Sequence, residues 1–260
     1  MNTYDSTPTN YVDFTCTTKD LLHLKYDVEE FSPSTGSLLE SSYVGTWHRI
    51  YEQGTSLPDS ARVIWLQTHK FFADIRIPVG SRDKQMSFAG HTVIEGDRCE
   101  WNQWCGLGDP VTDTARLDWL TDLQIKEYCD DGATEIWEKE DKKIGRIMSL
   151  QFIDEQSIET ITAKYDSSKS GKGFFLVVGD DFMRVLGDGK EDNHESFYGK
   201  ISASGDWLVS DSTQVASEGH ALYSNAVMTR FGDIILEKVD SSTIRRWLVH
   251  EMNGEIPIIL

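Results

Sequence analysis

From Tyr43 to its C-terminus the chain is cut into short runs of alternating or β-rich residues, divided at near-regular intervals by turn residues. WHRIYEQ, RVIWLQT, FFADIRIPV, ARLDWL, LQIKEYC and TEIWEKE are examples, with breaks at Gly54, Pro58-Asp59, Glu95-Gly96-Asp97 and Asp131-Gly132. A period of two places successive side chains on opposite faces and specifies half-buried strands. Asp131-Gly132 is the strongest hairpin signal, because a tight turn there needs a positive φ. A polar, glycine-bearing break runs over 167–173, after which FFLVVG, DFMRVLG, DWLVSDS, DIILEKV and IRRWLVH resume the pattern. No stretch carries the apolar period of a long amphipathic helix. The expected fold is all-β and antiparallel. About sixteen strands exceed one eight- or ten-stranded barrel, so two packed β-barrel-like halves are expected. The boundaries read as an N-terminal arm over 1–40, a first barrel over 41–166 and a second half over 172–260.

Charge narrows the function. The 260 residues carry 43 acidic and 25 basic side chains, a formal net charge of −18. No basic stripe offers phosphate contacts, which argues against nucleic acid, and the same balance argues against anionic membrane surfaces. No window approaches the ~18 apolar residues of a membrane span. The first residues have neither the basic nor the apolar region of a signal peptide. The four cysteines (Cys16, Cys99, Cys105 and Cys129) lack C-x-x-C spacing, and buried reduced thiols are expected. A cytoplasmic location follows as an expectation.

Motifs for cofactor or metal chemistry are not found. The seven histidines include no H-x-H and no H-E-x-x-H, so no metal is expected. The glycines around Gly106 and Gly187 lack the following helix that phosphate binding needs, and no G-x-S-x-G occurs. No cofactor is expected.

Gly45-Thr46-Trp47 is the G-x-W pattern that lipocalins place on their first strand. The segments Arg62–Gln67 and Phe72–Pro78, with Phe88-Ala89-Gly90, Cys99-Glu100-Trp101, Glu135–Glu138, Val177–Asp180 and Asp206–Val209, resemble a family of uncharacterised bacterial proteins with a lipocalin-like (calycin-type) β-barrel. That family is distantly similar to a fungal casein-kinase-interacting protein. The resemblance covers roughly residues 43 to 238. It implies a lipocalin-like fold and no particular reaction.

With unbroken register, Trp47, Arg49 and Tyr51 share one face, as do Val63, Trp65 and Gln67, and as do Phe72, Asp74 and Arg76. Glu135 and Trp137 share a face of the following run, and Trp101 adds aromatic area. Facing inward, these side chains make a pocket rather than a filled core, because so many polar groups are costly to bury without partners. Facing outward, Arg49, Asp74 and Arg76 make a surface ion-pair row. The inward arrangement points to a small-molecule-binding protein for a largely apolar or aromatic ligand. Ligand-binding candidates are Trp47, Arg49, Tyr51, Trp65, Gln67, Trp101 and Trp137, with a ligand carbonyl, carboxylate or hydroxyl set against Arg76. One alternative is a cofactor-independent isomerase, cyclase or lyase using Asp74, Arg76 and Glu135 on a small hydrophobic metabolite. A non-enzymatic protein-interaction module is the other. The sequence leaves the oligomeric state open.

Overall fold

Strands account for the regular structure throughout the described residues of the computed structural model, which are 39–54, 61–78, 85–158, 171–190, 193–214, 217–223 and 228–257. The expected N-terminal arm, and the polar break over 167–170, lie outside them. Among the described residues there is no α-helix, and so none long and apolar enough to cross a membrane.

The first eight strands are β1 (Gly45–Gln53), β2 (Ala61–Gln67), β3 (Phe71–Pro78), β4 (Met86–Glu95), β5 (Arg98–Leu107), β6 (Thr112–Thr121), β7 (Gln124–Cys129) and β8 (Thr134–Lys139). Each pairs antiparallel with the next, and β1 pairs with β8, which closes an eight-stranded up-and-down barrel. Gly132 has φ +93° in the turn between β7 and β8, as its Asp-Gly signal requires.

The remaining strands are β9 (Ile147–Ser157), β10 (Gly173–Val178), β11 (Asp181–Leu186), β12 (Asp188–Gly189), β13 (Glu195–Ile201), β14 (Trp207–Ser212), β15 (Met228–Phe231), β16 (Ile234–Lys238) and β17 (Thr243–Asn253). Apart from β12, which adds a short parallel pairing to β5, they form a second antiparallel sheet in the order β14-β13-β11-β10-β9-β17-β16-β15. The fold is consistent with a lipocalin-like all-β architecture. The sequence reading put the β9 segment in the first half. Its pairing with β10 and β17 moves the passage between the sheets to 140–146.

Burial explains which runs alternate. The strands β6, β7 and β8 alternate buried and less buried positions, because one face meets solvent. In β2 and β3 nearly every position is buried. Their inward residues join the barrel core around Trp47, Trp65 and Trp137, while Ile64, Leu66, Ala73 and Ile75 point outward. Those outward side chains pack on Phe174, Leu176, Met183 and Val185 of the second sheet in one hydrophobic cluster. Phe175, Phe182, Trp207 and Trp247 build another core on that sheet's opposite face. Polar contacts fix the join: the Thr46 hydroxyl donates to Asp181 at 3.0 Å, Tyr198 donates to the same carboxylate at 2.9 Å, and Ser149 donates to Thr68 at 2.9 Å.

The two sheets share one topology. In each, the first strand pairs with the second and with the last, and the others follow in order; β5 pairs with β6, whereas among the described residues β14 and β15 are not paired with each other, and residues 219–222 bond along the outer side of β14. Following the ladders matches the halves residue by residue. Trp65 lies between Trp47 and Asp74, and Phe88 follows opposite Asp74; in the same places Phe175 lies between Leu150 and Arg184, and Phe197 is opposite Arg184. The irregularities coincide too. The β4–β5 ladder slips between Ala89 and Gly90, and the β13–β14 ladder slips between Tyr198 and Gly199. A Cβ on Gly90 would lie 1.9 Å from the Asn102 carbonyl oxygen, and one on Gly199 2.1 Å from that of Leu208, so both bulges need glycine. In the last hairpins Ile125 pairs with Trp137 and Ile235 with Trp247. The pattern Ile125-x-Glu127 to Trp137 therefore recurs as Ile235-x-Glu237 to Trp247. Among the described residues the molecule is a structural repeat whose first half closes β5 on β6 and whose second half does not pair β14 with β15.

Candidate functional site

The barrel interior is packed at one end and hollow at the other. At the packed end Trp47 stacks on Trp65 with ring centroids 5.5 Å apart, and Tyr43 and Trp119 close over Trp47. Gln67 locks this floor. Its carbonyl accepts from the Trp65 indole at 3.0 Å and from Thr92 at 2.8 Å, while its NH₂ donates to the carbonyls of Thr68 and Phe71. Every polar atom of that amide is satisfied within the fold, so Gln67 serves the floor and does not line the space above.

That space is a cavity of about 200 Å³, walled by Trp65, Phe72, Phe88, Trp101 and Trp137. Its polar lining is Asp74, Arg76, Asp113, Glu127, Asp131 and Glu135, with Cys129 beside them: five carboxylates and one guanidinium. Unbroken alternation in β2 and β3 aims Trp65, Asp74 and Arg76 inward, as expected of that register. Arg76 donates to Asp74 at 3.1 Å and lies 5.0 Å from the Phe88 ring centre. Arg49 also turns inward, its side chain only 3% exposed, and bridges Glu135 at 2.8 Å and Glu52 at 2.7 Å.

Tyr51 is a correction. The β1–β8 ladder slips between Arg49 and Tyr51, which reverses the alternation. Tyr51 is 46% exposed and donates to Gln53, and Glu52 takes the inward place. The cavity thus brings together Trp65, Asp74, Arg76, Trp101, Glu135 and Trp137. Trp47, Arg49 and Gln67 are set behind its wall, and Tyr51 is outside.

Sequence reasoning passed over Glu127. It is buried in the cavity wall, accepts from the Trp137 indole at 2.7 Å and takes a weak bond from the Cys129 thiol at 3.4 Å. Burial, reinforced by the neighbouring Glu135 carboxylate, pushes its pKa up to about 8, so it is largely protonated near neutrality. Burial also raises Asp74 to about 6, against the pull of Arg76. Asp113 is raised by burial as well, and the Cys129 thiol goes up through burial and the charge of Glu127. Strict alternation in LQIKEYC puts Ile125, Glu127 and Cys129 on one face, and the recurrence of Ile-x-Glu before a tryptophan was the signal that could have singled out Glu127.

Chemically, the cavity holds a neutral buried acid beside an arginine-paired carboxylate, against an aromatic wall. Among the described residues no three His, Cys, Asp or Glu side chains are grouped to hold a metal ion. Comparison with protein-family models, with curated proteins and with solved structures finds no match.

Proposed function

We infer that the first barrel is a small-molecule-binding module, and that its ligand is compact and largely aromatic. The carrying observation is the cavity itself: a barrel this well packed at one end leaves about 200 Å³ open at the other, faced by five aromatic rings. Packed interiors rarely keep such voids, and one of about 150 Å³ is enough to admit benzene. The ligand on this scale is one ring with a small substituent. The resemblance to lipocalin-like barrels points the same way. Free thiols at Cys99, Cys105 and Cys129 suit a cytoplasmic setting.

A second reading has its own observation. Glu127 near 8 and Asp74 near 6 are two carboxyls whose surroundings separate their protonation from the usual range, which is how acid–base pairs are prepared. A cofactor-independent isomerase, cyclase or lyase would use Glu127 as the proton donor and Asp74 or Glu135 as the acceptor. A protein-interaction module has less support, since Asp74, Arg76 and Glu135 converge on the cavity instead of scattering over the exterior.

Native mass spectrometry of protein purified from its own source tests the binding reading. The expected result is a small molecule retained by the wild type and lost from a Trp137→Ala protein that still folds. No retained mass, together with no change in tryptophan fluorescence across a set of single-ring fragments, would overturn it.

A further inference from the structure

The second half of the repeat shows how this chain satisfies a carboxylate at the Glu127 position. Glu237, its counterpart, accepts from Arg184 at 2.8 Å, from Tyr223 at 2.6 Å and from the Trp247 indole at 2.8 Å. The Arg184 guanidinium lies 4.7 Å from the Phe197 ring centre and 6.0 Å from that of Phe175. Cation, carboxylate and rings are in direct contact there.

The first half keeps the carboxylate, the indole and the rings, but not the cation. Glu127 and Trp137 reproduce Glu237 and Trp247, with the indole bond at 2.7 Å. Trp65 and Phe88 stand where Phe175 and Phe197 stand. The position of Arg184, however, is Asp74, and the position of Arg245, opposite Glu237, is Glu135, opposite Glu127. Two arginines are thus replaced by two carboxylates, and Arg76, the one guanidinium in the lining, is bound to Asp74. What remains around Glu127 is the cavity.

We propose that the barrel's ligand is a small organic cation, an aromatic amine or amidine, whose charged group binds Glu127 in the place that Arg184 occupies against Glu237, while its ring lies among Trp65, Phe88 and Trp137. The proposal rests on the small-molecule-binding reading and names its ligand class. An aromatic wall favours such a ligand twice, by apolar contact and by attraction between the cation and the ring faces. The absence of any three-residue metal cluster among the described residues favours an organic cation over an inorganic one. The groups around Glu127 are Cys129 on its own strand, Glu135 on β8, Asp113 on β6 and Asp74 with Arg76 on β3; Arg76 is held by Asp74, and Arg49 behind the wall by Glu135 and Glu52, so neither guanidinium bonds Glu127. The incoming cation therefore supplies the missing counter-charge, and Glu127 loses its proton to solvent as the ligand binds.

Three probes of one shape test this on the full-length protein: benzamidine, benzamide and benzoate, titrated by calorimetry and tryptophan fluorescence. Benzamidine is expected to bind at least tenfold more tightly than benzamide, more tightly at pH 8 than at pH 6, and benzoate least. Glu127→Gln should bring benzamidine down to the affinity of benzamide and leave benzamide unchanged. A second variant, Asp74→Arg with Arg76→Leu, installs the residues found at 184 and 186; it should stay folded and lose benzamidine. Equal binding of benzamide, or tighter binding of benzoate, would overturn the cation and leave the pocket standing. Benzamidine binding unchanged in both variants would place it elsewhere and overturn the proposal. No response to any of the three would overturn the proposal and the binding reading together.

Discussion

Glu127 and Glu237 are the same residue type at equivalent places, and their substitution should have opposite consequences. Burial holds Glu127 protonated, up to about pH 8. A carboxyl whose folded pKa lies above its ordinary value favours the fold while it is protonated, and that contribution is lost as pH rises from the ordinary carboxyl range through about 8. Glutamine copies the protonated form. Glu127→Gln should match the wild type near pH 4, then gain on it with rising pH by about 2–4 kcal/mol at pH 8, read by urea unfolding. Glu237→Gln strips Arg184 of one of its two carboxylate partners, leaving Glu195 at 2.6 Å, and should cost about 1.5–3 kcal/mol, the scale of a charged hydrogen bond. Equal effects of the two substitutions would contradict the different partnering of the two carboxyls. Arg76→Ala belongs here too. It leaves Asp74 buried without its cation, and Asp74 then takes a proton more readily. Its pKa should climb above about 6 and stability at neutral pH should fall, both measurable by pH-dependent unfolding.

At the level of strands, bulges decide what the sequence could disclose. β2 and β3 pair without a slip, so simple alternation put Trp65, Asp74 and Arg76 on the correct face. β1 slips once, and that single irregularity moves Tyr51 from inside to outside. The strand content was equally legible, because turn residues such as Asp131-Gly132 stand where the chain reverses. The repeat was not, since Asp74 opposes Arg184 in charge and Glu135 opposes Arg245. Only short identities survive, such as Ser87-Phe88-x-Gly90 and Ser196-Phe197-x-Gly199. Their meaning is structural. In each half the glycine lets a neighbouring carbonyl approach to a distance that no side chain tolerates. Gly90→Ala and Gly199→Ala should each destabilise by about 1–3 kcal/mol or more, comparably, in thermal unfolding. A tolerant Gly199 would mean that β14, not closed onto β15, can shift to relieve the second bulge.

Across the whole molecule, the outer face of the barrel is the inner face of an interface. Ile64, Leu66, Ala73 and Ile75 are buried only because the second sheet covers them. Each half has an inner core of its own, but the shared cluster ties the two together, so they should unfold in one step, with tryptophan fluorescence and far-ultraviolet circular dichroism giving coincident curves. Ile75→Ala should lower stability by about 2–5 kcal/mol and leave those curves coincident. Separate transitions would show that the barrel stands alone.

The pairing of first strand with last in each half bears on how fast the chain can reach this state. Trp47 finds its ladder partner at Lys139, and Met148 finds its partner at Met252, so the first strand of each half must wait for the last. Closing such long stretches of chain costs entropy before the pairing returns anything, and folds dominated by distant contacts form in roughly milliseconds to seconds. During that wait β1 and β9 are unpaired on one side. On a ribosome the β7–β8 hairpin emerges well before β17, so the barrel can close first and offer its outer face as the template on which the second sheet assembles.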